Sequence, residues 1–258
     1  MKDGYGISLL TMIPMRENPS EKSQLVNQLL FGEYYLVVEE KPDWILIKTM
    51  LDNYTGWIDK KMHAALDELL FSQWHESEKH IIQSVFEADL INETDGYSVK
   101  LCPGCLTPQK FHNNRCMIGG KTFNLTKTII TSDKIEMETL AKGLLGVPYL
   151  WGGKTPYGMD CSGFTQILYR KKHLDFPRDA SQQISVGIPV NALEEALKGD
   201  LAFFGKNMDD ITHVGLILEN KQIIHASGRV RIDRLDEKGI FNEETKQHTH
   251  KLQAIRRI

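Results

Sequence analysis

The chain has 258 residues, 41% of them apolar, enough to bury a core in one large domain or in two or three small ones. Its 31 basic and 34 acidic side chains leave a formal net charge of −3, which excludes an overall electrostatic pull toward nucleic acid or an anionic membrane. The opening residues contain no apolar stretch of signal-peptide length and no later window approaches 18 uninterrupted apolar residues, so the default expectation is a cytoplasmic protein, or a cell-envelope one if a leader has been removed.

From Tyr5 to about His63, short β-like runs (Gly6 to Met12, Tyr34 to Val38, Trp44 to Lys48, Gly56 to Ile58) alternate with turn-rich stretches such as Asn18-Pro19-Ser20, the pattern of a small β-barrel. "FGEYYLVVEEKPDWILIK" followed by "NYTGWIDKK" resembles a bacterial SH3 domain, expected over residues 1–63. Ala65, Leu66, Leu69 and Leu70 recur at helical spacing between Met62 and about His80 and suggest a connecting helix. Ser98 to Leu101, Arg115 to Ile118 and Thr122 to Leu125 then read as strands, so residues 64–126 are expected to hold this connector and a second SH3-like barrel.

This stretch carries three of the four cysteines. Cys102, Cys105, His112 and Cys116 have the spacing C-x2-C-x6-H-x3-C, which fits four zinc ligands. The Pro103-Gly104 turn between strands equally fits a loop whose thiols bind nothing, and no metal is expected; a Cys102–Cys105 disulfide is the further alternative in an oxidising compartment.

Residues 127–258 form the third expected domain, of α+β class. A helical run from Ser132 to Leu145, with Ser132 as N-cap and Gly146 and Pro148 as the stop, leads into the loop "GGKTPYGMDCSGF" and a second helix. Phe164, Ile167, Leu168 and the alkyl stem of Lys171 mark that second helix as amphipathic. "DLAFF", "HVGLIL" and "QIIHASG" are short apolar strands that follow.

Cys161 falls in the first turn of the second helix, with Asp160 at the N-cap position. Unpaired N–H groups and the positive helix end favour a thiolate there, lowering the thiol pKa from about 8.5 toward neutrality; the bland alternative is a buried cysteine serving as a small hydrophobe. A cysteine nucleophile needs a base, and the base an orienting group. His213 and His225 lie on consecutive strands. If Glu219, Asn220 and Lys221 form a three-residue hairpin loop, Leu218 pairs with Gln222 and Gly215 with His225, making His213 a diagonal neighbour of His225 at roughly 7–8 Å between Cα atoms. A two-residue loop would place the imidazoles on opposite faces.

"YLWGG…MDCSGF", "RDASQQ", "KGDLAFF", "THVGLIL" and "IIHASG" together resemble the NlpC/P60 family of papain-like cell-wall peptidases over about Ser132 to Ile258. With preceding SH3 domains, the chain is similar to the branch of γ-D-glutamyl-L-diamino acid endopeptidases that trim murein peptides. The resemblance implies Cys161 as nucleophile, His213 as base and His225 as the orienting third member, with Tyr149 offering its hydroxyl to the oxyanion. It also implies that Trp151, Asp160 and Ser162 contact substrate, unless Trp151 packs the loop and Asp160 caps the helix or holds a backbone amide, and that Asp179 pairs with the free amine of an L-Ala-γ-D-Glu stem, unless Asp179 serves only as a helix N-cap. Glu33 and Tyr54 match SH3 positions that, in this branch, close the far end of the cleft and help select that amine. The partners implied are murein-derived peptides, cut by a monomer without a cofactor. Two rival expectations are a non-catalytic wall-binding protein and an amidase or acyltransferase on the same plan; permuted acyltransferases place the histidine before the cysteine, whereas Cys161 comes first here.

Overall fold

Alternating apolar side chains decide the first sheet. Ile13 and Met15 on Met12–Arg16, and Ile45 and Ile47 on Trp44–Thr49, point one way into a core with Leu29, Tyr35 and Ile58. The computed structural model describes residues 4–83, 85, 88–126, 135–170, 172 and 175–258. Seven antiparallel strands form this sheet in the order Leu25–Leu30, Met12–Arg16, Thr55–Asp59, Trp44–Thr49, Tyr34–Glu40, Gly4–Ile7 and Ala64–Leu66. The expected single run from Gly6 to Met12 is two strands, Gly4–Ile7 and Met12–Arg16. The chain turns between them where the buried Ser8 donates to the Leu10 carbonyl.

The connecting helix is shorter than its apolar spacing suggests, Glu68–Glu76, because Asp67 caps it by accepting from the Leu70 N–H at 2.8 Å. Its buried residue is Trp74, whose Nε1–H donates to the Gly32 carbonyl at 3.0 Å, while Leu69 is 66% exposed. Ala65 and Leu66 belong to a strand instead. The next four strands pair in the order Ser98–Leu101, Ala88–Asn92, Lys121–Leu125 and Arg115–Ile118, beside a two-stranded ladder of Lys79–Ile81 and Leu106–Pro108. So small a sheet buries little by itself. It shares its core with the first one: Phe123 meets Phe31 edge to face at 5.2 Å between ring centroids, and the Leu106 N–H donates to the Phe31 carbonyl. All of this lies in one compact unit, Met1–Lys134, and the rest of the chain forms a second, Ile135–Ile258.

In the second unit helices come first and strands after. Ser132, expected to cap the first helix, lies outside the described residues, as does Lys171; the described helix is Met137–Gly143, burying Leu140 and Ala141. Gly146 follows at φ +84°, a conformation open to glycine, where the chain turns toward the loop. Seven antiparallel strands run in the order Ile188–Val190, Gln247–Arg257, Leu201–Gly205, Ile211–Leu218, Gln222–Ser227, Arg229–Asp236 and Gly239–Asn242. Gly239–Asn242 also pairs with Gln247–Arg257, closing six of them on themselves and leaving no free edge there. The helix Cys161–Tyr169 is buried at every position and is not amphipathic, packing against Ile211–Leu218 and Gln222–Ser227. Gly163 lets the glycine loop pass close to this helix, since a Cβ there would stand 2.2 Å from the Gly153 carbonyl oxygen.

Candidate active site

The hairpin after Ile211–Leu218 has the three-residue loop, with Leu218 opposite Gln222 and Leu216 opposite Ile224; Asn220 and Lys221 take left-handed conformations at its tip. This register turns His213 and His225 to one face, and His213 Nε2 lies 2.8 Å from His225 Nδ1. Gly215 leaves the room they need, because a Cβ there would fall 2.9 Å from the His225 Cβ. Both rings are buried.

Cys161 opens its helix, with Asp160 as N-cap accepting from the Gly163 N–H at 2.7 Å. Its Sγ is 4.0 Å from the Thr212 carbonyl oxygen and accepts from the Val214 N–H, so the sulfur sits against the backbone on either side of His213. The expected depressed thiol pKa is not found. Burial pushes Cys161 up to about 12 and the Asp160 charge adds to this, outweighing the Val214 and Ser162 N–H groups and the Arg178 cation. His213 is pushed well below the ordinary imidazole value, first by burial and then by His225 and His250. Both shifts favour the uncharged forms, a thiol on Cys161 and an unprotonated imidazole on His213.

Asp160 caps its helix and holds a backbone amide, and both Asp160 and Ser162 are hydrogen-bonded within the protein. Asp160 accepts from Arg178 Nη2 at 2.7 Å and Nη1 at 3.0 Å and from the Gly152 N–H at 2.8 Å, while the Ser162 hydroxyl accepts from Arg178 Nη1 at 2.9 Å. Asp160 thus ties the glycine loop to the start of the Cys161–Tyr169 helix. Arg178 precedes Asp179 in "RDASQQ" and is 1% exposed; its arginine identity was visible, but nothing local shows which acid it meets. Tyr149 is half-buried, and burial is the main cause that raises its hydroxyl to about 12, leaving it a proton donor at neutral pH. Trp151 is 58% exposed. Asp179 caps Ala180–Gln183, with Gln182 accepting from its N–H at 3.5 Å.

In the first unit Glu33 is buried, not the solvated strand-edge charge it would be by default, and Tyr54 packs in part against the barrel core. Cys102 and Cys105 are buried with their sulfurs 3.6 Å apart, while Cys116 opposes Phe123 in another hairpin. Among the described residues no three potential ligands come together to hold a metal.

Two further residues were not singled out in the sequence. Asp233 lies 3.1 Å from His225 Nε2, and His250 stacks on His213 with ring centroids 4.1 Å apart. Burial is the main cause that lowers His250 to about 4. The unfolded chain, near 6.5, then takes up that proton first as the solution is acidified, so the stabilisation is complete above about pH 6.5 and is lost as pH falls toward about 4. The melting temperature is expected to drop over that window, and His250→Phe, which keeps a stacked ring without the titration, is expected to flatten the drop; scanning calorimetry of both proteins from pH 7 to pH 4 checks this.

A family model described as the NlpC/P60 family matches residues 146–250, and a second, the bacterial dipeptidyl-peptidase Sh3 domain, matches residues 15–61. The chain belongs to the NlpC/P60 family. It is 36% identical to a probable endopeptidase NlpC homologue of Haemophilus influenzae, over 49% of this chain and 67% of that one. Over most of its length it is similar to a γ-D-glutamyl-L-lysine dipeptidyl-peptidase of Bacillus cereus, 27% identical over 86% of this chain and 74% of the relative, and to dipeptidyl-peptidase 6 of Lysinibacillus sphaericus, 26% identical over 90% and 92%. The crystal structure of an NlpC/P60 family protein from Bacillus cereus shares the fold, with a TM-score of 0.79 over 98% of this chain and 99% of that one at 19% identity. Among the described residues, no helix is long and apolar enough to cross a membrane.

Proposed function

We propose that this protein is a cysteine endopeptidase of papain-like plan that hydrolyses the γ-D-glutamyl–L-diamino acid bond of murein peptides with a free N-terminal L-Ala. The observation that carries the reading is the placement of the Cys161 sulfur against the backbone flanking His213, whose Nε2 is hydrogen-bonded to His225. His213 takes the thiol proton as Cys161 attacks the γ-glutamyl carbonyl. The oxyanion is held by the Cys161 N–H at the helix start and by the Tyr149 hydroxyl. Collapse expels the diamino acid amine, which leaves with the proton returned from His213, and forms a thioester. Water, deprotonated by His213, then hydrolyses the thioester and restores the thiol. No step needs a cofactor.

The names of the full-length relatives support this substrate class, and the exposed Trp151 beside the glycine loop offers an apolar face to a peptide. The free amine is assigned to Asp179; Glu33 and Tyr54 enter through the family resemblance alone. A charge-assisted hydrogen bond contributes about 1.5–3 kcal/mol, and about 1.4 kcal/mol is already tenfold in rate. N-acetylation of L-Ala-γ-D-Glu-diamino acid peptides is therefore expected to lower kcat/KM at least about tenfold, and intact sacculi are expected to resist. Mass analysis of products from free peptides, acetylated peptides and sacculi tests both parts: cleavage at another bond overturns the peptidase specificity, and equal cleavage of free and acetylated peptides overturns amine recognition.

A further inference from the structure

Beyond the cysteine and the two histidines, the geometry points to Asp233 as a positioning residue that sets the tautomers of His225 and His213 and so decides which nitrogen of His213 acts as base. The inference rests on the reading of Cys161 and His213 as nucleophile and base.

Asp233 stands on Arg229–Asp236 opposite Ile223, two residues from the Arg231 that opposes His225, so its carboxylate falls on the same face as the His225 ring. Asp233 Oδ2 is 3.1 Å from His225 Nε2, and both side chains are 1% exposed. Arg231 holds the acid from the other side: Nη2 donates to Oδ1 at 2.9 Å and Nε is 2.7 Å from Oδ2, while Nη1 donates to Glu244. Burial alone would raise the Asp233 pKa, but the hydrogen bonds from His225 and Arg231 hold it below the ordinary carboxylate value. Asp233 is therefore an anion, which only accepts hydrogen bonds.

The proton inventory then runs in one direction. An anionic Asp233 requires His225 to carry its proton on Nε2, which in the neutral ring leaves Nδ1 bare. A bare His225 Nδ1, 2.8 Å from His213 Nε2, must accept, so His213 carries its proton on Nε2. The Nδ1 lone pair of His213 is left as the only site for the thiol proton. With the opposite tautomers His213 would bear its proton on Nδ1 and have no vacant nitrogen for Cys161. When His213 takes up the proton, its Nε2–H still donates to His225, and no other proton need move. His250, stacked on His213, is a further titratable neighbour, and with its pKa near 4 it is neutral at pH 7.

Nitrogen-15 NMR of histidine-labelled enzyme at pH 7 tests the assignment without reference to turnover. The expected pattern has Nε2 protonated and Nδ1 bare in both His213 and His225; a protonated Nδ1 in His225 would overturn the proposal whatever the activity. In Asp233→Asn the amide is able to donate to His225 Nε2 and so permits the reversed chain. It is expected to lower kcat by at least about 30-fold with KM within about threefold, to show protonated Nδ1 in both rings, and to be partly rescued in Asp233→Glu; the analogous exchange in a serine-protease triad, where the acid touches the base directly, costs about 10⁴. A folded Asp233→Asn with unchanged tautomers and kcat would sink the idea. An inactive wild-type enzyme would overturn the peptidase reading alone, and the tautomers then decide the role of Asp233 by themselves.

Discussion

Cys161→Ser and His213→Ala are each expected to lower kcat by at least about 10⁴ without unfolding the protein, because in the proposed mechanism each removes a member of a unit whose parts act only together. The serine hydroxyl fits the space left by the thiol, and its proton is far harder to remove. His213→Ala leaves the thiol without a base, since Val214 offers the sulfur an N–H and the Thr212 carbonyl accepts from the thiol but is too weak a base to take its proton. Steady-state hydrolysis of a free L-Ala-γ-D-Glu-diamino acid peptide, with circular dichroism as the folding control, is the measurement. More than about a tenth of wild-type turnover in either variant would remove that residue from the mechanism.

The same pair dictates a pH dependence. His213, held well below the ordinary imidazole pKa by burial, stays an unprotonated base down into the acid range. The acid limb of kcat/KM is thus expected below pH 6.5, with activity lost as the solution is acidified through the His213 pKa. Cys161, pushed up to about 12, is expected to react with iodoacetamide at a rate that climbs with pH beyond the ordinary thiol value near 8.5. A rate plateau already reached below pH 7 would mean that the thiolate is formed in the resting enzyme.

Arg178→Met is expected to destabilise the protein by about 3–5 kcal/mol, the cost of leaving one member of a buried ion pair without its partner. Arg178 is 1% exposed, and its two bonds to Asp160 run beside the bonds that Asp160 accepts from the Gly152 and Gly163 N–H groups. Removing the cation leaves a carboxylate that is only 6% exposed without its partner. Adding Asp160→Asn removes that charge, so the double variant is expected to recover part of the loss, with a coupling energy of about 0.5–3 kcal/mol between the two positions. Urea unfolding of the four proteins of the cycle measures it. A loss below about 1 kcal/mol in Arg178→Met would show that the pair does not brace the loop. Activity is expected to suffer with stability, because this brace sets where the helix Cys161–Tyr169 begins and hence where the sulfur of the proposed nucleophile lies.

Between a two- and a three-residue hairpin loop the sequence left the choice open, but by itself it determined the helix start at Asp160-Cys161 and the strand alternation of the first sheet. Each depends on contacts within a few residues, where period and cap act directly. The family signature was legible for the same reason, being a set of short motifs in a fixed order. What only the tertiary structure decided are pairings between distant segments. The acid for Arg178 and the use of Asp160 as a brace depend on how a loop, a helix and a later segment meet. The stacking of His250 on His213 depends on the last long strand closing the sheet beside Leu201–Gly205. The Cys161 pKa turned the same way: the helix start, legible locally, argues for a low value, but its sign is set by burial, which is the sum of everything packed around the helix.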